Sequence, residues 1–371
     1  MLFDQVVDQE KTGAELRGMV LRGQLPHALM IYGRQGTGGL PVALALTRYL
    51  LCQNKNALDS CGQCPNCQKM DRLEHPDVHF SFPTINRDKK DKFNQFLLEF
   101  RDAIRQRPYA TIYELLQSFG AENKQGKIKA EHIREIIDQL SLKSYEGGFK
   151  IQLIWGPEFM GLEGNFLLKT LEEPPEKTIL ILIPENRDAV LATIKSRCQM
   201  IHLPPLPQEA IAQALLTRQA VPDENRARQI ALLADGNYNE ALKLAQHLES
   251  DLLAPMRHWF NALATNNRVQ ISKNAEEWHK AGREACKNFL AYAQTMLHQA
   301  LRLQYLPGGQ VLVSEQERQF LSRLAAKNYK PETYQEMSRL MNETARAISQ
   351  NASAKMAFHA LSIRMVPLVS G

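Results

Sequence analysis

Three short stretches of this chain are almost continuously apolar and rich in β-branched residues: ALMIY (28–32), FKIQLIW (149–155) and TILILIP (178–184). A strand with one face in water alternates polar and apolar residues, whereas a strand covered on both faces reads as an unbroken run. Between the runs lie amphipathic patterns such as AEHIREIIDQLSL (130–142), which carries Ile133, Ile136, Ile137 and Leu140 on one helical face. Over residues 1 to about 205 this alternation predicts an α/β architecture, a parallel sheet with helices on both faces.

The first of these strands leads into GRQGTGGL (33–40) and then into the apolar helix VALALTRYLL. Strand, glycine turn and helix is the setting of a phosphate-binding loop, GxxxxGK[ST], in which backbone N–H groups cradle phosphate at a helix N-terminus. Gly33 and Gly38 stand at the two glycine positions, and Gly36 adds freedom to the turn. The lysine that neutralises the β- and γ-phosphates is replaced by Gly39, and the Mg²⁺-binding hydroxyl by Leu40.

Other parts of a hydrolytic site are missing in the same way. The Asp-Glu pair expected after the strand IQLIW falls on Trp155 and Gly156, and Glu158 follows a proline that redirects the chain. The third strand ends in Pro184-Glu185 where a small polar residue would face the γ-phosphate. No functional ATP site is expected in this chain. Ser196-Arg197-Cys198 is intact, and an arginine there can reach a nucleotide held by a neighbouring subunit. Such a finger accelerates hydrolysis by a factor of ~10³–10⁵. The residue is equally compatible with a surface arginine paired to a nearby carboxylate.

Four of the six cysteines, Cys52, Cys61, Cys64 and Cys67, form C-x8-C-x2-C-x2-C around the turn formers Gly62, Pro65 and Asn66. Two-residue gaps let successive thiolates turn onto one ion, and four thiolates close a tetrahedral zinc shell with no open position for catalysis. The spacing predicts a structural zinc in a reducing compartment. His75 could stand in for one thiolate, although four cysteines suffice. Cys198 and Cys286 read as ordinary small side chains.

The chain has 371 residues, enough for two or three domains. No apolar run reaches membrane-span length, no secretory pattern opens the sequence, and a cytoplasmic location is the expectation. The formal net charge of +5 is too small to indicate nucleic-acid binding by itself. The densest basic patch, NRDKKDKF (86–93), also contains Asp88 and Asp91 and reads as a solvated loop. Prolines at HLPPLP (202–207) mark a linker. Three short helices are predicted over 208–247, and an almost wholly helical region from about 250, interrupted at LPGGQ (306–310) and NYKPE (328–332). The segment from about 84 to 129 holds an amphipathic helix, FNQFLLEFRDAIRQ, in polar surroundings. It reads as an insertion without an assigned role.

Five motifs occur in a specific order: Leu25-Pro26-His27-Ala28, the cysteine knuckle, His75-Pro76-Asp77-Val78, Leu167-Leu168-Lys169-Thr170-Leu171-Glu172-Glu173-Pro174-Pro175, and Ser196-Arg197-Cys198-Gln199. With them the chain resembles the delta-prime subunits of bacterial DNA polymerase III, clamp-loader members of the AAA+ proteins. The resemblance covers residues 1 to about 205 and extends through ADGNYNEAL (234–242). The helical remainder fits by position and length.

The resemblance implies a RecA-like AAA+ domain (1–205) with a zinc module (about 52–67), a helical lid (206–248) and an all-α collar (249–371). It also implies Arg197 as the trans-acting finger, the four cysteines as zinc ligands, and Asn239 at the lid position where hydrolysing relatives carry an arginine. Implied partners are clamp-loader ATPase subunits and a clamp-opening subunit in a hetero-pentameric ring, with the sliding clamp and primed DNA reached through the complex, and no membrane. The insertion is longer than the family leads one to expect. An ATPase subunit with an unorthodox loop is the nearest alternative. A zinc-dependent DNA-binding regulator lacks a recognition-helix pattern after the knuckle.

Overall fold

A computed structural model describes residues 1–86, 93–121, 126–247, 252–305, 315–349 and 352–370. The basic stretch of NRDKKDKF from 87 to 92 and the interruption at 306–310 lie outside the described residues. The chain divides into two compact units, residues 1–211 with 236–240, and residues 212–235 with 241–371.

The first unit is built on five parallel strands: β1 (Ala28–Gly33), β2 (Val78–Ser81), β3 (Lys150–Trp155), β4 (Thr178–Ile183) and β5 (Gln199–Leu203). Their spatial order is β2-β3-β4-β1-β5. Register pairs Leu29 with Ile181 and Gln199, and Ile151 with Val78 and Ile179. The three unbroken apolar runs are the three interior strands, as burial on both faces requires. Period-two alternation sends Leu29, Ile31, Leu153, Trp155, Ile181 and Ile183 to one face and Met30, Ile154, Leu180 and Leu182 to the other.

Helices cover both faces. They are α1 (Glu10–Leu21), α2 (Gly39–Leu51), α3 (Pro65–Asp71), α4 (Leu97–Gln106), α5 (Ile112–Ser118), α6 (Ala130–Ser141), α7 (Leu168–Glu172) and α8 (Ala192–Lys195). The first core takes in Val42 and Leu46 of α2 and the second takes in Ile133, Ile136 and Leu140 of α6. The result is an α/β fold, a parallel five-stranded sheet between helices, followed by a largely helical C-terminal region.

The amphipathic segment FNQFLLEFRDAIRQ buries its apolar face: Phe96, Phe100 and Ile104, with Ile112, Leu115 and Phe119 of α5, belong to the first core. Phe82 and Phe100 stack at 4.2 Å between ring centroids. The stretch HLPPLP begins inside β5, so only its proline-rich remainder leaves the sheet.

The second unit holds residues 212–217 of α9 (Gln208–Thr217), α10 (Glu224–Ala234), residues 241–247 of α11 (Tyr238–His247), and then α12 (Leu253–Ala264), α13 (Arg268–Ala281), α14 (Arg283–Tyr305), α15 (Glu315–Ala325), α16 (Pro331–Ser349) and α17 (Ala354–Ser370). Its core centres on Trp259, Phe289 and Phe358, with the Trp259 indole N–H donating to Ser362 Oγ at 2.9 Å. Among the described residues no helix is long and apolar enough to cross a membrane.

Candidate functional site

The glycine loop joins β1 to α2, and its shape depends on the absence of side chains. Gly38 is the N-cap of α2 at φ 99°, and Gly36 has φ 76°. Thr37, the loop's hydroxyl, donates from Oγ1 to the Arg34 carbonyl at 2.7 Å and so serves the turn itself. The first turn of α2 presents N–H groups at its N-terminus, but Pro41 in that turn has none. Leu40 is buried, and a side chain grown from Gly39 would start 3.1 Å from Ile183 Cγ2.

The residues expected at the other catalytic positions are directed to structural tasks. Trp155 is buried, and Gly156 adopts φ 77°. Glu158 Oε1 accepts the N–H groups of Glu185 and Asn186 at 2.9 and 3.0 Å. Glu185 in turn accepts from the Ile112 N–H at 2.7 Å and from Gln35 Nε2 at 3.2 Å. Burial pushes both glutamate carboxyls upward, partly offset by these donors. Asn239, buried at the start of α11, donates from Nδ2 to Glu114 Oε2 at 2.8 Å.

Arg197 follows α8 at the surface. Its Nε donates to Glu172 Oε1 at 2.6 Å, and Nη1 donates to the Thr193 carbonyl at 2.9 Å and to Ser196 Oγ at 3.3 Å. Glu172 ends α7, so two of the sequence motifs meet in this ion pair. A third joins them, because His27 Nε2 lies 2.8 Å from the Leu171 carbonyl oxygen. In the fourth, the Asp77 carboxylate accepts from Ser144 Oγ at 3.1 Å and from the N–H groups of Tyr145 and Glu146 at 2.6 and 2.9 Å, anchoring the loop before β3.

The four cysteines converge, with all Sγ atoms within 4.8 Å of one another. A tetrahedral zinc tetrathiolate has Zn–S bonds of about 2.3 Å and therefore sulfur–sulfur edges of about 3.8 Å. Cys61 and Cys67 stand 4.0 Å apart, close to that edge. The Cys61 N–H donates to Cys52 Sγ at 3.2 Å and the Cys64 N–H to Cys61 Sγ at 3.3 Å. The Gln63 and Cys64 N–H groups pull the Cys61 thiol down to about 6, whereas burial holds Cys52 up at about 12. The donor set and spacing fit zinc.

The knuckle is fastened to α2 by Arg48, whose buried guanidinium grips Asp71 at 2.6 and 3.1 Å and donates to the Gly62 carbonyl at 3.2 Å. His75 faces Glu146 at 3.3 Å instead of the sulfurs. Cys198 and Cys286 are buried, which raises each thiol to about 12 and leaves it unreactive.

Sequence reasoning missed three residues that line or brace the glycine-loop site: Tyr109, Thr111 and Glu114, all from the segment 84–129 that was expected to be an insertion. Thr111 and Glu114 form a capping box that was readable as T-x-x-E. Tyr109 carried no comparable signal.

A family model described as DNA polymerase III, delta subunit, matches residues 8–207. The chain is 28% identical over 261 residues to the DNA polymerase III subunit delta' of Escherichia coli, covering 67% of this chain and 66% of that one. The match thus spans just under two thirds of that relative's length. It is also 28% identical over 247 residues to the tau subunit of the same organism, covering 65% of this chain and 32% of the relative. Among solved structures it is similar to a DNA polymerase III gamma subunit-related protein of Thermotoga maritima, with 14% identity, a TM-score of 0.40, and coverage of 98% and 100%.

Proposed function

This chain belongs to the DNA polymerase III delta subunit family, and from that premise we propose that it is a clamp-loader subunit that serves a neighbour's ATP site and has no hydrolytic site of its own. It is delta-prime-like in sequence. The observation that carries the finer reading is a contrast between two places. Gly39, Leu40, Trp155, Gly156, Pro184 and Asn239 occupy positions that would handle phosphate or metal, while Arg197 stands intact at the surface on a carboxylate it can leave.

In this reading the Arg197 guanidinium is released from Glu172 when a neighbour's nucleotide offers a stronger anionic partner. Its planar charge then stabilises the oxygens of the transferring γ-phosphoryl group. Cys52, Cys61, Cys64 and Cys67 would hold a zinc that supplies folding energy to the knuckle and no chemistry. The partners would be the loader's ATPase subunits and its clamp-opening subunit in a hetero-pentameric ring. Residues 1–205, 206–248 and 249–371 would act as AAA+ domain, lid and collar. The whole would take part in placing the sliding clamp on primed DNA.

The similarity to the tau subunit favours a second reading, an ATP-hydrolysing loader subunit with an altered loop. Incubating the isolated chain with Mg²⁺ and ATP separates the two. The first reading expects no phosphate release above the buffer blank, and Mg²⁺-dependent turnover would favour the second.

A further inference from the structure

The space above the glycine loop is already filled by this chain. What remains is a cavity of about 50 Å³, bounded by the loop itself, by Pro108–Thr111 of the inserted segment, and by Trp155 and Glu185. Small-molecule sites run to about 300–1,000 Å³. Tyr109 is buried there, its hydroxyl accepting the Val7 N–H at 2.9 Å, and a Cβ on Gly38 would sit 3.3 Å from its ring.

The inserted segment also reaches from the sheet to residues 236–240. The Ile112 N–H is held by Glu185 at the end of β4. Glu114 accepts from Thr111 N–H at 2.7 Å, from Thr111 Oγ1 at 3.0 Å and from Asn239 Nδ2 at 2.8 Å. Tyr109 meets Tyr238 edge to face, with centroids 4.9 Å apart. The Tyr238 N–H in turn donates to the Gly36 carbonyl at 3.2 Å.

The positions that lack catalytic side chains are shaped for this arrangement. A Cβ on Gly156 would lie 2.6 Å from Ile112 Cδ1, so the missing glutamate leaves the space that Ile112 occupies. Trp155 packs near Phe100 of α4, with centroids 6.4 Å apart. A Cβ on Gly36 would fall 1.9 Å from Asn237 Oδ1.

We propose that the inserted segment from Pro108 to Glu114 is a built-in occupant of the chain's own nucleotide site, filling the space over the glycine loop and tying the loop to residues 236–240. Tyr109 lies between Gly38 and Tyr238, and Glu114 holds Asn239 to Thr111 in the wall of the cavity; the arrangement does not respond to nucleotide. The inference goes beyond the preceding reading and does not depend on Arg197.

Hydrogen exchange of the full chain, followed by mass spectrometry, tests it in peptides covering 34–42 and 236–241, with 150–155 as the folding control. Millimolar MgATP or MgADP should leave wild-type exchange unchanged. Tyr109→Ala should speed exchange in both test peptides about tenfold or more while the control holds, the scale of losing packing plus one hydrogen bond. Nucleotide-induced protection of 34–42 in the wild type would overturn the occupant and leave the Arg197 reading standing. Unchanged exchange in Tyr109→Ala would overturn it as well. If Tyr109→Ala loosens the control, Asn239→Ala is read instead: exchange in 236–241 about tenfold faster supports the tie, and wild-type exchange there contradicts it.

Discussion

Arg197 Nε lies 2.6 Å from Glu172 Oε1, joining the last residue of α7 to the turn that follows α8. The two side chains are 32% and 49% exposed, so water screens their attraction. An exposed pair of this kind stabilises by about 0–1 kcal/mol. Glu172→Ala and Arg197→Ala are therefore each expected to lower the unfolding free energy of the isolated chain by less than about 1 kcal/mol in urea titrations. A loss near 3 kcal/mol would mean that the pair is structural and unavailable for release.

Gly36 and Gly147 share a φ of 76° but differ in what surrounds them. At Gly147 an added Cβ meets nothing within 4 Å, whereas at Gly36 it would collide with Asn237 Oδ1. Gly147→Ala is expected to cost about 1–2 kcal/mol for the backbone alone. Gly36→Ala should cost at least about 1 kcal/mol more, because the loop must move off residues 236–240. Equal costs in chemical denaturation would show that the loop and this segment are not in tight contact.

The cysteine knuckle forms a small cluster apart from the main core. Its stability should therefore depend on the ion. Elemental analysis of the purified chain should find one zinc per molecule. Cys64→Ser should lose the metal and lower the melting temperature by more than about 5 °C. A metal-free wild type with unchanged melting would contradict the assignment.

His132 stacks on Phe93 at 3.6 Å, with Nε2 2.9 Å from Ser81 Oγ and Nδ1 3.3 Å from Glu135. Burial lowers its pKa, against the opposing pull of Glu135. A folded pKa below the unfolded value means that the contribution is present above about pH 6.5 and is lost as pH falls towards the folded value. His75 and His79 shift in the same direction, again chiefly through burial. The melting temperature should thus fall on acidification below about pH 6.5, and His132→Gln should flatten part of that fall. An unaltered profile in the variant would remove His132 from the account.

The interior of the sheet was legible because burial on both faces leaves a direct trace, and 28–32, 149–155 and 178–184 correspond to β1, β3 and β4. The edge strands were not. β5 runs along an edge with Gln199 and His202 exposed and enters prolines at once, which reads as a linker. β2 has only four residues, too few for a periodic signal. The glycine loop and the convergent cysteines were visible from spacing. The plug over the loop was not, because it depends on Ile112 occupying the space that Gly156 leaves empty. Local patterns do not encode that fit; the capping box at Thr111 and Glu114 marked only where α5 begins.

If Arg197 acts on a nucleotide held by another subunit, its loss is felt only in the assembled loader. The direct measurement is the ATPase rate of the reconstituted loader containing either wild-type chain or Arg197→Ala, with assembly of each complex checked by size-exclusion chromatography. An intact complex is expected whose hydrolysis at the neighbouring site falls by a factor of about 10³ or more, exposing any turnover from sites this arginine does not serve. Wild-type turnover by an assembled Arg197→Ala complex would contradict it.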